Sequence, residues 1–226
     1  MHEFLLALPV LLFSMVAHEY AHGYAALRQG DPTAMSLGRL TLNPLKHIDP
    51  LMTILMPVAL FVGSGGQVIF GGAKPVPVNP RNYRNYRRGD VIVSAAGIVA
   101  NLGLVVVAMV LTIALGMVSH GLGVRGVLAP IQRMIAWGIW LNLLLAFFNL
   151  IPIPPLDGSH LLYHALPPRL GLWYRQIGRY GVGVLLVVVF VAPRALFTLL
   201  TPAFALHAAA CSVVSPFALT PVPVCP

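Results

Sequence analysis

Three ionisable residues, His18, Glu19 and His22, stand inside the apolar run LLFSMVAHEYAHGYAAL, residues 11–27. If the run is helical, positions i and i+4 share one face about 6 Å apart, so the two imidazoles can grip a single ion. Glu19 lies about 100° further round the helix and could reach a water held by that ion. The spacing is HExxH, the pattern of two zinc ligands and a general base. Ionisable groups within a membrane are costly and mark function by default. The plainer alternative is a pair of buried histidines hydrogen-bonded to neighbouring helices.

A zinc site of this kind needs a third protein ligand and an open fourth position for water. Asp157, in NLIPIPPLDGSH, ends an apolar span, and Pro152, Pro154 and Pro155 keep the chain extended there so that the carboxylate can be aimed inward. His160 and His164 also have i, i+4 spacing and could replace or assist it; the plainer reading lets them line the cavity or face the interface. Asp31, Asp49 and Asp90 read as solvated charges or helix caps in polar loops.

Elements that must position these residues follow from composition. Of 226 residues, 58% are hydrophobic and 9% charged, and the mean hydropathy is +0.84. A soluble domain is about 25% charged, so the chain reads as an all-α polytopic membrane protein. The net charge of +8 suits cytoplasmic loops rich in Lys and Arg better than nucleic-acid binding, and no nucleic-acid partner is expected. A span takes roughly 20 apolar residues. Four runs qualify: 4–27, 91–118, 128–151 and 180–200. The first lacks a basic leader and reads as an uncleaved helix. Residues 51–72 are apolar but broken by Pro57 and GSGGQ, and read as a re-entrant or broken segment. Residues 1–200 form one membrane-embedded domain in this reading, and 201–226 a tail without clear structure. Cys211 and Cys225, both in the tail, are compatible with a disulfide or with two free thiols.

HEYAH in a first apolar helix, FGGAKPVPVNPRNYRN in a loop, and NLIPIPPLDG at the end of a later helix together resemble the site-2 protease family of intramembrane zinc metalloproteases. The resemblance covers roughly residues 11–165. It implies peptide-bond hydrolysis within the membrane, with one zinc per chain on His18, His22 and Asp157 and with Glu19 as base. It further implies that Asn149 helps to hold substrate or the oxyanion. Asn101, in SAAGIVAN, matches a second family asparagine, although Ile98 stands where that motif usually carries Pro. The substrate would be a membrane-spanning protein or a leftover signal peptide. Short β-strands near the site, at 36–43 or 64–72, could hold it extended by strand addition.

Topology gives a separate argument. A zinc shared by His18 and Asp157 needs both at one membrane depth, so an even number of crossings must separate them. Runs 91–118 and 128–151 already make two, which leaves 51–72 entering and leaving on one side. Loops 28–50, 73–90 and 152–179, which carry most of the Lys and Arg, then share a side, and the opposite loop 119–127 has only Arg125. The positive-inside rule makes the rich side cytoplasmic, with the site towards it. Ser94, Gly97 and Asn101 share a face of 91–118, where the first two read as packing. The expected setting is the plasma membrane of a prokaryote. A membrane metal-binding or transport protein is the competing reading; such proteins usually need ligands along a path, whereas these cluster beside a base.

Overall fold

The computed structural model describes residues 2–50, 55, 59, 62 and 72–225. The expected broken segment 51–72 therefore lies almost wholly outside the described residues. Among those that are described the chain is all-helical, with no strand. Helices α1 (His2–Gln29), α2 (Thr33–Ser36), α3 (Tyr86–Leu122), α4 (Arg125–Leu150), α5 (Asp157–Ala165), α6 (Pro168–Ile177), α7 (Gly181–Phe190), α8 (Pro193–Leu199) and α9 (Thr201–Val214) follow in order. Parts of α1, α3 and α4 are long and apolar enough to cross a membrane: Leu5–Gln29, Tyr86–Ser119 and Arg125–Leu150. The stretches Pro168–Phe190 and Pro193–Leu199 form a pair bent by 98°. The apolar run expected over 180–200 falls within this bent pair. Pro193 is the reason for the bend: it occupies the first turn of α8, where its missing N–H is harmless, but it cannot continue α7.

Two compact units are present. One comprises Met1–Ser14 and Ile98–Pro226. Within it α4 is the interior helix, burying Ala136, Ile139, Leu143 and Ala146. Ala203, Ala210, Cys211 and Val214 of α9 share its core, and small residues on both sides let the helices approach closely. The tail, read from sequence as structureless, is therefore a core helix over 201–214, with Pro202 in its first turn. Cys211 and Cys225 are joined by a disulfide. Gln132, 2% exposed, donates from Nε2 to the carbonyls of Thr112 (2.7 Å) and Phe217 (3.0 Å) and accepts from the Leu219 N–H (2.7 Å). A buried amide needs such partners, and here the tail backbone supplies two of them. The expected loop 119–127 shrinks to Gly123 and Val124, since α3 runs to Leu122 and α4 starts at Arg125; Gly123 takes the left-handed turn, φ +67°.

The other unit is Met15–Gly97. Its core joins Ala25 and Ala26 of α1 to Tyr83 and to Val93 of α3. The C-terminus of α1 closes on Gly30, φ +110°, with Gly30 N–H donating to Leu27 O and Asp31 N–H to Ala26 O; this is a Schellman ending. Asp31, expected as a solvated charge or a helix cap, is fully buried. Its carboxylate accepts from the Thr33 N–H and hydroxyl, the Asn82 amide (2.8 Å) and the Asn79 N–H (2.6 Å). These bonds clasp the end of α1 to a loop some fifty residues later. The segment 36–43 begins with the last residue of α2 and continues as turn and irregular backbone rather than a strand. The chain it meets contains Pro75 and Pro77, which have no N–H for a ladder.

Candidate active site

Helix α1 sets His18 and Glu19 side by side and His22 one turn further on. The two imidazoles meet edge to face, with Nε2 atoms 3.0 Å apart and ring centroids 4.5 Å apart. His22 Nδ1 lies 2.7 Å from the Val93 carbonyl of α3. A carbonyl only accepts, so Nδ1 carries the proton and the lone pair of the neutral ring sits on Nε2, facing His18. A backbone carbonyl fixing the far nitrogen is the usual support of a metal-ligating histidine. Zn–N bonds of 2.0–2.1 Å in a tetrahedron would place two ligand nitrogens about 3.4 Å apart. The observed pair is close to that, and the two residues fit a zinc ion.

Gly97 of α3 completes the cradle. A Cβ there would lie 2.5 Å from His18 Cε1 and 2.6 Å from His22 Nε2. Only glycine lets the α3 backbone come so near the rings. Sequence reasoning gave Gly97 to packing; the stripe Ser94–Gly97–Asn101 was the available signal, but it could not say which neighbour approached. Glu19 Oε2 accepts a hydrogen bond from the Val76 N–H at 2.8 Å. Neither Val93 O nor Val76 N was legible, since backbone groups carry no residue signature.

The remaining candidates belong to the other unit. Asp157 is half-buried and opens α5. Gly158 is required beside it: a Cβ there would meet Leu150 O at 2.1 Å. Tyr174 Oη donates to Pro152 O at 2.9 Å and steadies the proline loop. Asn149 donates from Nδ2 to Leu145 O, one turn earlier in α4. Asn101 is fully buried. His160 is exposed, and the half-buried His164 packs edge-on to Tyr163, with centroids 4.7 Å apart. A second His–Cys cluster, His207 with Cys211 and Cys225, has its sulfurs committed to the disulfide.

The family model for Peptidase family M50 matches residues 125–191. The chain is 40% identical over 192 residues to the protein named "Putative zinc metalloprotease YwhC" of Bacillus subtilis (strain 168), covering 84% of this chain and 81% of the relative. The chain belongs to peptidase family M50. Proteins named "Putative zinc metalloprotease Rip2" match as well. That of Mycolicibacterium smegmatis is 36% identical over 167 residues, 74% of this chain and 58% of the relative. That of Mycobacterium tuberculosis (strain ATCC 25618 / H37Rv) is 31% identical over 194 residues, 84% and 68%. No solved structure gives a significant match. This M50 chain is accordingly an integral membrane zinc metalloprotease of the site-2 type, and M50 proteases cleave membrane-protein substrates. The resemblance read from HEYAH, the proline-rich loop and LDG is borne out at the level of family and enzyme class.

Proposed function

We propose that this M50 protease hydrolyses peptide bonds of transmembrane segments with one zinc per chain, held by His18, His22 and Asp157, and with Glu19 as general base. The observation that carries the reading is the pair of Nε2 atoms 3.0 Å apart, with His22 locked through Nδ1 and Glu19 on the adjoining position. Asp157 supplies a carboxylate from the first turn of α5, just after the proline loop, and completes a His₂-carboxylate donor set, a common catalytic zinc set. Zinc, when bound, supplies a Lewis acid that lowers the pKa of a coordinated water to about 7 and polarises a carbonyl.

The chain's own residues do the rest. Glu19 accepts the proton of the attacking water on a carboxylate oxygen and returns it to the leaving amine. Asn149 donates from its side-chain amide to the carbonyl oxygen as negative charge grows there, and Asn101 helps to hold the substrate. A helical substrate hides its carbonyls in hydrogen bonds and must unwind locally before cleavage. The excess of Lys and Arg in loops 28–50, 73–90 and 152–179 supports a site on the cytoplasmic side of a prokaryotic plasma membrane.

Zinc content of single variants tests the ligand set. His18→Ala, His22→Ala and Asp157→Ala, purified in detergent, each lose most of the metal, while Asn149→Ala and His160→Ala keep it. Full zinc in Asp157→Ala together with loss in His160→Ala or His164→Ala would move the third ligand to a histidine.

A further inference from the structure

Residues 72–79, GAKPVPVN, pass the histidine-bearing helix without forming a helix or a ladder. They reach the reaction centre through the Val76 N–H, 2.8 Å from Glu19 Oε2. Among the described residues Glu19 Oε1 accepts no hydrogen bond. The segment is fastened on both sides of that contact. Before it, the Lys74 N–H donates to His47 O at 2.7 Å, and Arg39 Nη2 donates to the carbonyls of Lys74 (3.1 Å) and Pro75 (3.3 Å). After it, the Asn79 N–H donates to Asp31 Oδ2 at 2.6 Å. Val76 itself is 6% exposed and seated on Gly23, where a Cβ would come within 2.9 Å of its Cγ1. Proline on either side, at 75 and 77, fixes its neighbours' φ and holds Val76 itself extended.

We propose that the Val76 amide and Arg39 are positioning groups for the reaction. Arg39 fixes the backbone at 74–75, the Val76 N–H then holds one oxygen of Glu19, and the other oxygen faces the attacking water in a set orientation. This inference rests on Glu19 being the base. A glutamate turns about three torsions, and a base must lie within about 2.6–3.2 Å of the proton it takes. Misplacement by 1 Å can cost about 100-fold in rate. A lid that lifts from Glu19 is the opposite reading. Fastenings before and after Val76 would have to release together, so the attachment is that of a fixed support.

The test uses the full chain in detergent, with a transmembrane peptide selected from a Leu/Ala-rich library carrying helix-breaking residues by its cleavage with the wild type. Val76→Pro removes the N–H while tolerating extended backbone, and Val76→Ala keeps it. Val76→Pro and Arg39→Ala should lower kcat roughly 10–100-fold, with KM within about twofold and zinc per chain unchanged. Val76→Ala, which keeps the N–H, should retain clearly more kcat than Val76→Pro, and Arg39→Lys should recover part of the loss. Independently of turnover, the Val76 amide, followed by hydrogen exchange in 15N-valine-labelled protein, should be protected in the wild type and lose protection in Arg39→Ala. Equal kcat in Val76→Pro and Val76→Ala would overturn the proposal. So would faster turnover in Val76→Pro, the signature of a lid, or zinc lost in step with activity, the signature of a merely structural role. Activity retained in Glu19→Gln would overturn the base assignment itself, and this inference with it.

Discussion

Two polar residues, His22 half-buried and Asp31 fully buried, show opposite ways of making burial tolerable. His22 gives its one N–H to Val93 O and keeps its lone pair for a partner across from His18. Asp31 collects donors instead. Burial pushes its carboxyl up, but hydrogen bonds from the Asn79 amide, the Thr33 hydroxyl, the Asn82 side chain and the Thr33 amide outweigh that and leave it below its usual value. The folded pKa is thus depressed, so the stabilisation is present above the unfolded value, about 4, and is lost as pH falls through the lower folded value. Calorimetry in detergent should find the Asp31 contribution, read as the difference between wild type and Asp31→Asn, lost below about pH 4. Asp31→Asn, which turns an amide towards the Asn79 N–H, should be destabilised at neutral pH by about 3 kcal/mol and show a flatter acid profile. An unchanged acid profile in Asp31→Asn would remove Asp31 from that transition.

Close approach of elements depends on glycine at several points, and Gly97 is the one at the histidine pair. The α3 backbone comes so near the rings on α1 that Gly97 has no room for a Cβ. Gly97→Ala should lower zinc affinity about 10–100-fold, the range seen when the support of a metal ligand is disturbed, and competition with a chelator would measure it. Affinity equal to wild type would show that the rings yield without cost. Hydropathy made α1, α3 and α4 legible, because a long apolar run has one cheap way to satisfy its backbone in a bilayer. It could not show α9: an Ala-rich stretch between prolines reads as a tail until its partners on α4 are known. Nor could it show the break at Pro193, since proline both starts and stops helices. The clasp at Asp31 was hidden for another reason. Two of its donors stand at positions 79 and 82, and no local pattern links them to residue 31. Within the candidate site the side chains of HExxH were legible by spacing, whereas the backbone atoms that hold them, Val93 O and Val76 N, were not.

At the level of the whole molecule, stability and catalysis are assigned to different places. Exposed apolar side chains such as Val99, Val106, Val110 and Val187 suit lipid, where no water drives them inward. The C-terminal region is tied by the Cys211–Cys225 disulfide, which closes a loop over a sequence separation of 14. Such a loop contributes up to about 3 kcal/mol. Cys225→Ser should therefore lower the melting temperature in detergent while leaving zinc content and kcat as in the wild type; loss of zinc on that change would tie the tail to the metal site. The central claim is hydrolysis by a zinc-dependent base at Glu19. Its most direct test compares wild type and Glu19→Gln, purified side by side, for zinc per chain and for cleavage of the same transmembrane peptide. The account predicts near one zinc in both proteins and a loss of cleavage of about 100-fold or more in the variant. Cleavage undiminished in Glu19→Gln, or no zinc in either protein, would contradict it.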